Sequence, residues 1–205
     1  MSSVVDATLL AEVFITLAVI MDPIGTIPLF LSLTSGRSLA MRGRAAWQAV
    51  LVAFGVIVAF ALFGRQILGY LNISLPALQT AGGLLLLLVA LELLTGREQE
   101  PGSSQDVNVA LVPLGTPLLA GPGAIVATMV FVERIDAVPD LTAVMLGVVG
   151  IHLVLWATMR YSVGILRLIK ESGVILVTRI SGLLLSAIAV QLVADAVRSF
   201  IAGEG

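Results

Sequence analysis

Two short segments carry the residue types from which an ion or zwitterion site can be built. Asp22-Pro23-Ile24-Gly25-Thr26-Ile27-Pro28 sets a carboxylate among two prolines and a glycine, inside an otherwise apolar run. Each proline removes a backbone donor and crowds the carbonyl four residues earlier, while Gly25 permits non-helical dihedrals. A helix broken here frees carbonyls that suit an ammonium or a metal cation, and a half-helix starting near Thr26 offers N–H groups to an anion. The second segment repeats the device twice, as Pro113, Gly115, Thr116 and Pro117 and then as Gly121-Pro122-Gly123-Ala124-Ile125. A half-helix from Ala124, with Pro122 and Gly123 at its entrance, would face an anion in the same way. Asp22 then serves a substrate ammonium, a proton or Na⁺, or else caps the helix that follows the break. The residues alone leave both roles open.

Covalent chemistry has far less support. The chain has no cysteine, no GxSxG, no HExxH, no P-loop and a single histidine, His152, with no carboxylate near it in sequence. A nucleophile with its base within reach is therefore missing, and neither enzyme activity, a cofactor nor a metal site is expected. The other polar residues of the apolar runs are His152, Glu92 and Gln191. His152 reads as a buried histidine satisfied by a carbonyl, or as a proton-coupling group. Glu92 and Gln191 read as helix–helix hydrogen-bonding residues. Thr26, Thr116, Thr128 and Ser186 either line a cavity or bond the carbonyls of their own helix. Few polar groups concentrated at broken helices suit a carrier. The alternatives are a small-solute channel and a membrane scaffold without transport, the latter implying a solid, cavity-free core.

What must position these residues is a set of membrane-spanning helices. Of 205 residues, 59% are hydrophobic and 12% charged, with a mean hydropathy of +1.10. Soluble globules carry roughly 25% charged residues. Eleven basic against thirteen acidic residues leave a net charge of −2 and no basic field for nucleic acid. A span needs ~20 apolar residues, and the charges fall between such runs. We expect an all-α polytopic protein with six spans near 9–34, 45–66, 75–94, 109–132, 141–160 and 180–199. Residues 161–179 are expected as a short interfacial helix or a connecting loop. The first run lacks a basic n-region and carries Pro23 and Pro28, so it reads as part of the mature chain rather than a signal peptide.

Six spans put both termini on one side, which carries Arg65, Arg134 and Arg198. The other side carries Arg37, Arg42, Arg44, Arg97, Arg160, Arg167, Lys170 and Arg179. The excess of positive charge makes that second side cytoplasmic, with the termini outside. The chain also repeats itself. Residues 23–29 (PIGTIPL) match 113–118 (PLGTPL), and 82–92 (GGLLLLLVALE) match 181–191 (SGLLLSAIAVQ), pairing Glu92 with Gln191. Each unit holds three spans, so the second enters the membrane from the opposite side. This implies a single transmembrane domain of two inverted repeats, 1–96 and 107–205, joined by a polar linker at 97–106, with spans one and four broken.

With these motifs in hand, the chain resembles the MarC family of bacterial and archaeal integral membrane proteins. The resemblance rests on DPIGTIPLF (22–30), ISLPALQTAGGLLLLLVA (73–90), VPLGTPLLAGPGAI (112–125) and RISGLLLSAIAVQ (179–191). It implies a six-helix inner-membrane protein related to small-molecule exporters, some members resembling transporters of glycine and alanine. Asp22, Pro23, Gly25 and Pro28 match the family's first motif, and Pro113, Gly121, Pro122 and Gly123 its second. Some relatives carry Asn at the position of Asp22, which argues against an obligatory proton site. Ala194-Asp195-Ala196 departs from the glycine expected in the last helix. The implied partners are the lipid bilayer, a small-molecule substrate and a coupling H⁺ or Na⁺. Substrate identity, direction and any homo-oligomer are left open.

Overall fold

The computed structural model describes residues 5–96 and 119–203, which form seven helices and no strand. They are α1 (Ala7–Met21), α2 (Thr26–Leu33), α3 (Leu39–Leu71), α4 (Leu75–Thr95), α5 (Pro122–Glu133), α6 (Val138–Arg160) and α7 (Ser162–Ala202). Among them α3, α4, α6 and α7 are long and apolar enough to cross a membrane, and the pair α1–α2, bent by 50° at its break, makes a fifth. The expected fourth span is represented by α5 alone, because 109–118 lie outside the described residues, as do the linker at 97–106 and Pro113, Gly115 and Thr116.

Local chemistry sets the boundaries. The Asp6 carboxylate starts α1 by accepting from the Thr8 and Leu9 N–H groups at 2.8 and 2.9 Å. Ser38 and Ser74 cap α3 and α4 in the same way. Helix α3 outruns its expected span at both ends, because the basic stretch before 45–66 and the apolar stretch after it both stay helical, from the Ser38 cap to Asn72. Within 161–179 a short helical stretch from Ser162 ends at Lys170, whose φ of 61° and ψ of 165° lie outside helical space. Helix α7 (Ser162–Ala202) is therefore two helices joined at a kink, the first of them the short helix expected there.

Two ends of the bundle are distinguishable. At one, Arg134 pairs with Glu12 at 2.8 Å, Arg65 pairs with Glu133, and the Asp6 N–H donates to the Pro139 carbonyl. At the other, the Arg160 guanidinium lies against Gly43, and Arg42 donates to the Thr34 carbonyl at the end of α2. Helices α3 and α6 therefore run antiparallel. The main core joins α1, α3, α5 and α6, and a second cluster of Leu86, Ala90, Leu185 and Ala189 fills the seam between α4 and α7.

Glycines let these helices approach closely. A Cβ on Gly82 would meet Val126 Cγ2 at 2.6 Å, and one on Gly147 would meet Val13 Cγ1 at the same distance. This packing brings α4 onto α5 and α6 onto α1, which holds the two breaks around one space.

Candidate functional site

Asp22 ends α1 in the left-handed region, at φ 37° and ψ 73°, its N–H still donating to the Ala18 carbonyl. Asparagine and aspartate tolerate this conformation better than other non-glycine residues. The chain then turns through Pro23, Ile24 and Gly25 into α2. Asp22 Oδ1 accepts from the Gly25 N–H at 3.1 Å and from the Ser181 hydroxyl at 3.4 Å. Its carbonyl takes the Thr26 N–H at 3.1 Å. Asp22 thus closes one helix and caps the next while the residue as a whole is 7% exposed. Because residue 23 is proline, the Val19 carbonyl lacks the donor that an unbroken helix would supply.

Across the space, Gly121 precedes α5, whose first residue, Pro122, has no N–H. The N–H groups of Ala124 and Ile125 both return to the Gly121 carbonyl, at 3.0 and 3.2 Å. Leu86 of α4 seats its side chain in the notch at Gly123, where a Cβ would lie 2.0 Å from Leu86 Cδ2.

Both breaks line one cavity of about 400 Å³. Its wall includes Asp22, Gly25, Thr26, Glu92, Gly121, Pro122, Gly123 and Ala124, closed by apolar residues such as Met21, Leu86 and Leu119. Among the described residues the charged lining groups are Asp22 and Glu92, and none is basic. The volume lies at the low end of the ~300–1,000 Å³ typical of small-molecule pockets.

Other expected residues lie elsewhere. Pro23 and Pro28 flank the break without lining the cavity. His152 packs between α3 and α6, its Nδ1 2.7 Å from the Val148 carbonyl and its ring edge-on to Phe54. Gln191 donates to both carboxylate oxygens of Asp195, at 2.8 and 3.0 Å. Thr128 and Ser186 donate to the Ala124 and Leu183 carbonyls within their own turns, as Thr26 of the cavity wall does to that of Pro23.

Comparison with known proteins now bears on what carries this cavity. The model of the MarC family of integral membrane proteins matches residues 7–201. The chain belongs to the MarC family. It is 36% identical over 186 residues to a UPF0056 membrane protein of Methanocaldococcus jannaschii, covering 87% of this chain and 91% of the relative. It is 30% identical over 193 residues to a UPF0056 membrane protein of Bacillus subtilis, covering 90% and 92%. A third such relative, from Escherichia coli, is 29% identical over 199 residues, covering 93% and 92%. No solved structure matches.

In this MarC-family chain the motifs at 22–30 and 121–125 form the two helix breaks themselves. Three residues escaped the sequence reading: Leu86 of the cavity wall, and Thr178 and Ser181, which pack behind it against the Asp22–Gly25 break. Thr178 Oγ1 would sit 2.9 Å from a Cβ on Gly25, beside the Asp22 carboxylate. Thr178 and Ser181 are three apart and so share a helix face, the one signal that marked them. Leu86 sits in a run of five leucines with nothing to single it out.

Proposed function

We propose that this chain is a secondary transporter of the inner membrane that moves small neutral amino acids of glycine or alanine size, or related small zwitterions. The observation that carries the reading is the shared cavity: two helix breaks, from distant parts of the chain, line one space whose charged groups among the described residues are both acidic. An acidic, desolvated wall favours a cationic group, so the substrate ammonium goes toward Asp22 and the carbonyls at the end of α1. The substrate carboxylate goes to the opposite break, where the Gly123 N–H opens α5. The start of α2 is unsuited to that task, because Asp22 itself takes the Gly25 and Thr26 N–H groups. The two breaks therefore divide the zwitterion between them.

In this reading the chain is two inverted three-helix units, and a proton or Na⁺ gradient supplies the driving force. The basic end lies in the cytoplasm and the termini outside, supported by the segregation of Arg42, Gly43 and Arg160 from the Glu12–Arg134 end. The test is flux of labelled glycine and alanine into proteoliposomes under imposed proton or sodium gradients. Gradient-dependent uptake above that of protein-free liposomes is expected. Its absence with monodisperse protein in the bilayer would reject transport of these solutes.

A further inference from the structure

A second cleft lies away from the two breaks, between α3 and α6. It has a volume of about 170 Å³ and is lined by Trp47, Val50, Leu51 and Phe54 from α3 and by Val149, His152, Leu153 and Trp156 from α6. These residues recur every three to four positions, so each helix contributes one continuous face. His152 and Phe54, in edge-on contact, close the inner end.

The outer end is basic. Arg44 lies one turn before Trp47, and Arg160 one turn after Trp156, on the faces that form the cleft. The Arg160 guanidinium reaches across to α3, its Nε 3.4 Å from where a Cβ on Gly43 would sit. Neither Arg44 nor Arg160 has an ion-pair partner among the described residues. No Asp or Glu occurs within four residues of either in the chain. Both are exposed, as is Trp47.

We propose that this cleft binds an anionic phospholipid, its phosphate held by Arg44 and Arg160 and one acyl chain lying between the tryptophans down to Phe54. The order of groups along the cleft matches that of the lipid. Guanidinium groups pair with phosphate oxygens in two-pronged fashion. Tryptophan favours the headgroup level, and a fully apolar trough takes the hydrocarbon. Two guanidinium groups at the top, without an acidic partner among the described residues and with Arg160 resting over the Tyr161 ring, distinguish this groove from an ordinary lipid-facing surface, which would accept any acyl chain equally. The inference is independent of the transport reading, since none of these residues lines the cavity between the breaks.

The test uses the purified full chain with phosphatidylglycerol or phosphatidylcholine of matched acyl chains, scored by lipid retention in native mass spectrometry. Phosphatidylglycerol should be retained about 10- to 30-fold better, a preference of the size two juxtamembrane basic residues supply. The double variant Arg44→Gln/Arg160→Gln should lose that preference, and Arg44→Lys/Arg160→Lys should keep most of it. Val149→Phe, which fills the trough, should weaken retention with both arginines intact. Equal retention of the two lipids would overturn the proposal, as would a preference that survives in the Gln double variant. Complete displacement of phosphatidylglycerol by inorganic phosphate would also overturn it, in favour of a free-anion site. The exposed positions of both arginines make the variants tolerable to the fold, and circular dichroism checks this.

Discussion

Gly83 and Gly182 occupy exchanged positions in one helix seam. A Cβ on Gly83 would meet the Ala189 carbonyl and the side chains of Leu192 and Val193, while one on Gly182 would meet the Ala90 carbonyl, Leu93 and Leu94. Each residue of the first set lies 99 positions after its counterpart in the second, as Gly182 does after Gly83. The buried quartet of the seam obeys the same offset, Leu86 with Leu185 and Ala90 with Ala189. Such reciprocity is what a local two-fold axis between antiparallel helices produces. Asp22-Pro23 and Gly121-Pro122, which mark the two breaks, are also 99 positions apart.

The exchange is geometrically imperfect, and that difference is measurable. A Cβ on Gly83 would lie 2.8 Å from the Ala189 carbonyl oxygen, whereas on Gly182 the nearest atom is Leu93 Cβ at 3.1 Å. Gly83→Ala should therefore force backbone to move and cost about 1–3 kcal/mol. Gly182→Ala needs a shift of tenths of an ångström, offset by the helix propensity gained, ~1 kcal/mol. Thermal unfolding in detergent should show a clear loss for the first and little change for the second.

Asp22 separates capping from binding. Asp22→Asn keeps a side-chain acceptor for the Gly25 N–H and tolerates the left-handed backbone, so stability should stay near wild type. Losing a charge-assisted hydrogen bond, ~1.5–3 kcal/mol, should weaken glycine or alanine binding about 10- to 100-fold if the ammonium rests there. Wild-type affinity in this variant would leave Asp22 as a cap only. Isothermal titration alongside thermal unfolding reads both quantities.

The breaks were legible because proline and glycine act locally: Pro23, Gly25, Pro122 and Gly123 each remove a helical option without reference to the rest of the chain. Helix identity followed from apolar run length in the same way. What packs on what was less legible. Thr178 reaches Gly25 and Asp22 through tertiary packing of α7, and no run length or motif encodes that. Leu86 was hidden by its neighbours, since five consecutive leucines differ only in the direction each faces. Residues 161–179 were ambiguous because Arg167 and Lys170 interrupt an apolar pattern too short for a span; the chain forms a short helix there that ends at the left-handed Lys170 backbone before the long helix begins. The division of labour between the breaks also needed coordinates, because it depends on which N–H groups Asp22 consumes.

Orientation rests on charge. In the proposed orientation Arg37, Arg42, Arg44, Arg160 and their neighbours lie at the cytoplasmic face, which places the C-terminus outside. A C-terminal alkaline phosphatase fusion should be active, and a C-terminal green fluorescent fusion exported in the unfolded state should be dark. The reverse pattern would invert the assignment and place the Glu12–Arg134 end in the cytoplasm.

Gly123 and Leu86 offer the sharpest test of the cavity, because they share one notch. A Cβ on Gly123 would stand 2.0 Å from Leu86 Cδ2 and 2.4 Å from its Cγ. Gly123→Ala must therefore push the leucine side chain into the cavity, and Gly123→Val must push it further while crowding the N–H that opens α5. Flux should fall with the size of the substituent and vanish in Gly123→Val, with expression and monodispersity preserved because leucine can rotate into open space. Leu86→Ala should then rescue Gly123→Ala, since it returns the volume that the new methyl displaced. It should not rescue Gly123→Val fully, because the branched side chain still shields the helix end. A purely structural notch makes a different pattern: Leu86→Ala alone would lower the unfolding temperature, and none of the three single variants would change flux per folded molecule. Measuring flux and unfolding temperature for wild type and all five variants distinguishes a cavity that binds substrate from a kink that packs helices.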